Sequence, residues 1–312
     1  MQINHNINAM ITQNALRQNN TAMSKSLEKL STGLRINRAQ DDAAGLAMSE
    51  QMRTQIRGLG KAKQNAQDGI AALQIAEGGL SEISNIMQRQ RELAIQAAND
   101  TLTSTERNYL NLEFQELTKE IARIAKTTDY NGKNMLNYNV DPNKSFGAVD
   151  SDGVASSFTL HIGANYSGAF TTPGDRTGHF ANTMAVTYTT IMADSVTGIV
   201  TVAGVRFGGQ DGLKITSNSY SNQAIDGLDK AIKSINGVRA KIGTYVSRLE
   251  YTINNIGNLE FNTQDAESRI RDTDFAKETT SFTRNQILVQ SATSMLSQAN
   301  TLPQTALSLI NG

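Results

Sequence analysis

The 312-residue chain has no cysteine, no tryptophan and only three prolines, and aromatic residues make up 5% of it. Without cysteine, the chain can form neither disulfide bonds nor thiolate zinc sites. With so few aromatic side chains, a thick globular core is not expected. No apolar run approaches the roughly 18 residues that a membrane-spanning helix needs, so we expect no membrane partner.

Charge is balanced along the chain, with 29 basic and 29 acidic residues. Nucleic-acid binding by electrostatics needs a basic surface, and no basic stripe interleaved with aromatic residues is present, so we expect no nucleic-acid partner. Residues 1–8 lack a basic segment followed by an apolar run, which predicts no cleavable secretory signal. If the protein leaves the cell, it must use another route.

Long helices are predicted for both ends of the chain. Residues 1–141 contain no proline, and an apolar residue recurs every seven positions between Leu59 and Ala94. That row is Leu59, Ala66, Leu73, Leu80, Met87 and Ala94, with Ala62, Ala76, Ile83 and Ala97 beside it. We therefore predict a helix from Ala43 to about Ala98. Leu228, Ala231, Ile235, Val238, Ile242, Tyr245 and Leu249 predict another by the same spacing.

Local signals predict where these helices begin and end. Gly33 is a plausible helix stop, and Asp41 or Asp42 can cap the helix that follows. Thr103 and Glu106 form a capping-box pattern that opens a helix through Leu110, Phe114, Leu117, Ile121 and Ile124. Asn131-Gly132 predicts a tight turn. Pro303 is expected to kink or end the last helix.

The two ends of the chain each carry a narrow heptad stripe. We predict that these stripes pack as a terminal coiled coil, through Met23, Leu27, Leu30, Leu34, Phe275, Phe282, Val289 and Leu296. Because many polar residues flank them, we expect the outermost segments to be poorly ordered in the monomer and ordered only in an assembly.

Several glycines in the first long helix, among them Gly58, Gly69 and Gly78, weaken it but permit close packing.

The middle of the chain differs from both ends. Residues 141–220 contain 11 of the 24 glycines and runs such as Phe158–Ile162 that favour strands. The predicted fold is mainly α, with the terminal helices folded back into an antiparallel bundle and a small β-rich insert at its far end. The predicted parts are 1–42, an inner terminal helix with a non-helical spoke from Leu34; 43–140, helical core with a hairpin near 130–138; 141–220, variable β-rich surface domain; 221–268, helical core; and 269–312, the second inner terminal helix.

No catalytic, cofactor-binding or metal site is predicted. The three histidines, His5, His161 and His179, have no second histidine at ligand spacing and form no zinc-peptidase motif. Gly208–Gly212 lacks the lysine and hydroxyl residue of a phosphate-binding loop. We therefore expect no enzyme and no cofactor.

Several sequence blocks resemble those of bacterial flagellin, the subunit of the flagellar filament. Residues 30–47 read LSTGLRINRAQDDAAGLA and resemble the N-terminal signature, and residues 267–276 read ESRIRDTDFA and resemble the C-terminal one. AQDGI at 66–70, AEGGL at 76–80, DYNGK at 129–133 and NNI at 254–256 also match. The resemblance covers about 1–138 and 221–312.

This resemblance implies a structural protein that is exported through the flagellar type III apparatus and polymerises into an extracellular filament that gives motility. Its implied partners are copies of itself, the filament cap, the hook-junction proteins, an export chaperone and host innate receptors. In the family, the terminal helices form an inner coiled-coil tube, the next helices an outer tube, and the variable domain faces solvent.

Candidate contact residues also follow from the resemblance. By position, a subunit-interface and Toll-like-receptor surface falls on Arg89, Leu93 and Glu113, although Gln90 departs from the apolar residue common there. Recognition by the chaperone and by cytosolic innate sensors falls on Leu302, Leu307, Leu309 and Ile310. Three alternatives remain at this point: a hook–filament junction protein, an enzyme displayed on a filament through the insert, and a free-standing coiled-coil binder.

Overall fold

The computed structural model describes residues 6–136, 155–164, 183–189, 192–193, 200–202, 205–207 and 213–311. Its helices are α1 (Ile7–Thr32), α2 (Ala43–Ala97), α3 (Ser104–Thr127), α4 (Asn218–Arg271) and α5 (Phe275–Asn311). Its strands are β1 (Asp129–Tyr130), β2 (Lys133–Asn134), β3 (Ala155–His161), β4 (Thr183–Thr189), β5 (Met192–Ala193), β6 (Val200–Val202) and β7 (Val205–Phe207). The predicted fold class, mainly helical with strands in the middle of the chain, is confirmed.

Two compact units make up the chain. The first comprises Met1–Ile56 and Phe261–Gly312, and the second comprises Arg57–Glu260. These units divide inside α2 and α4, whereas the part boundaries predicted from the sequence lie at or near helix breaks. The five-part division therefore stays a prediction.

The break between α1 and α2 occurs where the sequence predicts it. Gly33 follows α1 with a left-handed φ of 72°, and its N–H donates to the Lys29 carbonyl at 2.9 Å. Glycine adopts this conformation without steric cost. Asp42 precedes α2, and its Oδ1 accepts a hydrogen bond from the Gly45 N–H at 2.8 Å. The predicted stop and cap are thus confirmed.

In the first unit, α1 and α5 pair antiparallel. The Asn6 side chain donates to the Ala299 carbonyl at 2.8 Å, and at the opposite end of the pair Lys29 lies 4.0 Å from Glu278. Helix α5 continues through Pro303 to Asn311. Pro303 is predicted from the sequence to kink or end this helix. It does not end it, because a proline removes one backbone donor without preventing later residues from remaining helical, and the kink stays a prediction.

Backbone hydrogen bonds join the segment after α1 to the segment between α4 and α5. The Arg35 N–H donates to the Arg271 carbonyl at 2.7 Å, and the Thr273 N–H donates to the Gly33 carbonyl at 2.9 Å. Arg271 also donates through Nη1 to Glu50 at 2.7 Å, and this hydrogen bond is the main cause that lowers the pKa of Glu50. The predicted non-helical spoke is thus an ordered crossing with its own backbone pairing.

The core of the second unit lies between α2, α3 and α4. Both heptad rows predicted for α2 are buried throughout, from Leu59 to Ala97. Helix α3 contributes Phe114 and Ile121, and α4 contributes a row that includes Leu228 and Leu249. Because these rows repeat at the helical period, each helix turns one continuous apolar side inward.

Helix α3 and the hairpin after it confirm two local predictions. The capping box between Thr103 and Glu106 is formed in both directions, and the Thr103 N–H is the main cause that lowers the pKa of Glu106. Asn131 and Gly132 have φ values of 52° and 73° and connect β1 to β2. The buried Asn134 amide donates to the carbonyls of Ala125 at 3.1 Å and Lys126 at 2.7 Å, which satisfies the end of α3.

Strands β3 and β4 form an antiparallel hairpin, with Ala155 opposite Thr189 and His161 opposite Thr183. Strands β5, β6 and β7 form a second antiparallel sheet. The β3–β4 pair lies along the side of α2, where Asn65 donates to the His161 carbonyl at 3.0 Å. The expectation that the strands lie at the far end of the bundle is wrong for this pair, because Phe158, Met184 and Val186 are buried in the same core as the helices.

Candidate assembly surfaces

The least exposed side of α1 is a complete heptad series of alternating three- and four-residue steps. It consists of Ala9, Thr12, Leu16, Asn19, Met23, Ser26 and Leu30. Helix α5 carries the matching series Glu278, Phe282, Asn285, Val289, Ala292, Leu296 and Ala299. We call these two series together the terminal seam. Such spacing is typical of a coiled coil.

Some of the residues predicted for this contact lie elsewhere. Met23, Leu30, Phe282, Val289 and Leu296 are all at least half-covered within the terminal seam. Leu27 and Phe275, by contrast, are each 56% exposed. Leu34 lies beyond the end of α1, where it pairs as a single bridge with Asp272.

Sequence reasoning missed Leu16 and the polar members of the seam. These are Thr12, Asn19 and Ser26 on α1, and Glu278 and Asn285 on α5. Polar residues do not stand out in a search for apolar stripes. The signal that marks the register is the seven-residue spacing of Leu16, Met23 and Leu30. Leu27 follows the seam residue Ser26 by one position, so its side chain lies on the outer side of α1.

The outer sides of α1 and α5 expose large apolar residues. These are Ile7, Met10, Ile11 and Leu27 on α1, and Phe275, Ile287, Leu288 and Met295 on α5. We call these eight residues the exposed apolar set. An open groove of about 490 Å³ runs along α5 beside Ile287 and Leu288. Exposed apolar residues grouped on one surface make that surface a candidate for contacts with other molecules.

A second surface lies in the other unit, where Arg89 of α2 meets Glu113 of α3. Arg89 donates to Glu113 Oε1 through Nε at 3.1 Å and Nη2 at 2.9 Å, and to Glu92 through Nη1 at 3.2 Å. The Glu113 carboxylate is the main cause that raises the pKa of Arg89. All three side chains remain about half exposed or more, so the ion pairs are open to a partner.

Leu93 and Gln90 do not belong to that outer surface. Leu93 is 1% exposed and lies in the core, so a surface made of Arg89, Leu93 and Glu113 reduces to its two charged members. Gln90 is fully buried, and its Nε2 donates to the Phe114 carbonyl at 3.1 Å and to Thr118 at 2.8 Å. Its Oε1 has no partner among the described residues.

Helix α5 includes the chaperone and sensor candidates Leu302, Leu307, Leu309 and Ile310. Their side chains lie outside the described part of the chain. His5, His179 and residues 208–212 also lie outside it.

Among the residues that the structure does describe, no three His, Asp or Glu side chains are grouped to hold a metal ion. Within the same residues, no helix has the length and apolar character needed to cross a membrane.

Long paired helices, a heptad seam at the chain ends and exposed apolar residues beside it define a structural protein that assembles with other copies of itself. Residues 3–141 match the bacterial flagellin N-terminal helical region, and residues 225–310 match the bacterial flagellin C-terminal helical region. The chain belongs to the bacterial flagellin family.

Full-length relatives support this assignment. The chain is 44% identical over 311 residues to the flagellar filament 33 kDa core protein of Treponema phagedenis, covering 99% of this chain and 100% of the relative. It is 40% identical to flagellins of Halalkalibacterium halodurans and Bacillus subtilis, with the same coverage.

Among solved structures, a crystal structure of Bacillus cereus flagellin aligns with the chain at 27% identity and a TM-score of 0.43, covering 62% of this chain and 88% of that one.

As a flagellin, the chain is a structural subunit of the extracellular flagellar filament and acts by self-assembly. Members of the family are filament proteins and not enzymes. The junction-protein and displayed-enzyme alternatives are not favoured by these relationships.

Proposed function

We propose that the exposed apolar set on α1 and α5 is the surface through which one flagellin subunit binds its neighbours in the filament. The observation that carries this proposal is that large apolar side chains stay exposed on both helices although the helices already pair along the terminal seam. Among the described residues, nothing covers these eight side chains on the outer sides of α1 and α5. Neighbouring copies supply that cover.

The energetics favour assembly over the free pair. Full burial of one large apolar side chain stabilises by roughly 1.5–3 kcal/mol. The terminal seam includes Thr12, Asn19, Ser26 and Asn285, so it gains less from burial than an all-leucine seam would. We therefore propose that α1 and α5 are weakly ordered in the free subunit, and that contacts between subunits offset the entropy lost on ordering them.

The same helices are the proposed binding sites for the partners that act before and during assembly. We propose that an export chaperone binds the last turns of α5 at Leu302, Leu307, Leu309 and Ile310, and that the filament cap and the hook-junction proteins bind the terminal helices. The family relationship supports this proposal, and so does the apolar character of those four residues.

One experiment tests both parts. Purified chain will grow into filaments from seeds and bind the export chaperone, whereas a variant without residues 1–34 and 276–312 will do neither. Sedimentation, negative-stain microscopy and chaperone pull-down are the measurements. The truncated variant should keep a cooperative melt from the core between α2, α3 and α4, which excludes global unfolding as the cause. Filaments from the truncated chain would refute the assembly surface, and chaperone bound to it would refute the α5 site.

We further propose that Arg89 and Glu113 form a contact surface for the flagellin-sensing Toll-like receptor. The exposure of both charged side chains supports this, together with their position in the family. Replacing Arg89 with alanine should weaken receptor binding by about tenfold or more, because a charged contact is lost. A matched control is Arg123→Ala, which removes a similar exposed ion pair with Glu120 elsewhere on α3. Surface plasmon resonance that finds equal affinities for the two variants would reject the proposal.

A further inference from the structure

We infer that one side of α2 is a docking track that attaches the strand-bearing middle of the chain to the helical bundle. The docking track consists of Gly58, Asn65 and Gly69. These residues are spaced by seven and four positions, so at 100° per residue they lie within about 40° of one another on the helix surface. This inference concerns the second unit and is independent of how the terminal helices assemble.

At the two glycines of the docking track, an added Cβ would force a neighbour in the β3 segment to shift. At Gly69, an added Cβ would overlap the Cδ1 end of the Leu160 side chain of β3, so that side chain would have to shift. At Gly58, an added Cβ would lie 2.9 Å from the carbonyl oxygen and 3.0 Å from the Cα of Ala164. The Ala164 contact is to backbone, which cannot move aside as the end of a flexible side chain can.

Asn65 supplies the polar point between the two glycines. Its Nδ2 donates to the His161 carbonyl at 3.0 Å. The three contacts follow the chain in order, with Ala164 at Gly58, His161 at Asn65 and Leu160 at Gly69. Strand β3 and the residues after it therefore run antiparallel to α2, and the hydrogen bond sets their register along the helix.

At the other glycines of α2, the nearest neighbours of an added Cβ do not belong to the β3 segment. An added Cβ at Gly78 would meet nothing within 4 Å, and one at Gly60 would meet only a Glu260 oxygen at 3.9 Å. Glycine weakens a helix relative to alanine wherever it stands. At Gly58 and Gly69 that weakening is offset by close contact with the β3 segment, which makes them positioning residues for the middle of the chain.

The test compares Gly69→Ala with Gly78→Ala in the full-length monomer. Hydrogen–deuterium exchange at the β3 and β4 amides reports how firmly the hairpin is held. We expect Gly69→Ala to speed exchange at these amides by about tenfold or more, because the displaced Leu160 opens the hairpin from α2. Gly78→Ala should leave this exchange unchanged and raise the melting temperature. Equal β3–β4 exchange in the two variants would overturn the inference.

A double-variant comparison separates docking from a general loss of helix stability. Leu160→Ala should also speed β3–β4 exchange, and adding Gly69→Ala to it should bring little further change, because the Leu160 atoms that the added Cβ would overlap are then absent. Additive effects would show that Gly69 acts without Leu160 and would overturn the docking track. Seeded filament growth of each variant is a separate readout, so failure of the assembly proposal would leave this result intact.

Discussion

Replacing Val289 with aspartate will abolish filament growth. Val289 occupies a covered position of the terminal seam on α5, between Phe282 and Leu296 along the same stripe. A carboxylate placed there loses hydration, which destabilises the α1–α5 pair by at least the roughly 1–3 kcal/mol that burial of a neutral polar group costs. Because the seam already contains polar residues, the pair has little stability to spare, and the helices will separate.

Seeded polymerisation followed by sedimentation checks this expectation. The matched control is Val289→Ile, which keeps the position apolar and should polymerise as the unaltered chain does. Circular dichroism should show that Val289→Asp retains the cooperative melt of the core between α2, α3 and α4. Filament growth by the aspartate variant at the unaltered rate would show that the terminal seam is not needed for assembly.

Replacing Phe114 with alanine will cause a large loss of stability in the second unit. Phe114 is among the largest fully buried side chains of the described residues and lies where α3 packs against α2. Its backbone carbonyl also accepts a hydrogen bond from the buried Gln90 amide, so any shift of α3 toward the space left by the ring would disturb this polar contact as well. Removing the ring leaves a cavity that a helical bundle cannot fully close, and the expected loss is about 3–5 kcal/mol.

Leu112 provides the comparison for Phe114. It lies two residues earlier on the same helix and is 59% exposed, so Leu112→Ala should change the free energy of unfolding by no more than about 0.5 kcal/mol. Urea titration followed by circular dichroism measures both variants. A Phe114→Ala loss as small as that of Leu112→Ala would mean that the core between α2 and α3 is not packed as described.

Regular helical features were predictable because they depend on residues close together in the chain. The heptad rows of α2 proved buried at every position, since an apolar stripe at helical spacing has one side that must leave water. The helix end, the capping box and the tight turn depend only on local backbone conformation or on neighbours within a few residues. They are formed by Gly33, by Thr103 with Glu106, and by Asn131 with Gly132. These short-range signals do not depend on the rest of the fold.

Contact residues were less predictable because exposure depends on what the rest of the fold covers. Leu27 looks like a core residue from its spacing, yet Ser26 is buried and Leu27 is exposed, because the register of α1 against α5 is set by the whole seam. Leu93 looks like a surface residue by position in the family, yet it lies in the core. The docking of β3 on α2 joins residues almost 100 positions apart, and no local pattern reports it.

By itself, the sequence determined the helical class of this flagellin, most helix boundaries and the family to which it belongs. Those properties follow from the spacing of apolar residues, from local capping residues and from short sequence blocks that resemble those of flagellin. Only the tertiary structure decided which side of each terminal helix is covered and where β3 meets α2. It also decided that the charged side chains of Arg89 and Glu113 stay exposed. Burial is a property of packed surfaces, and a single residue type does not specify which neighbour will remove it from water.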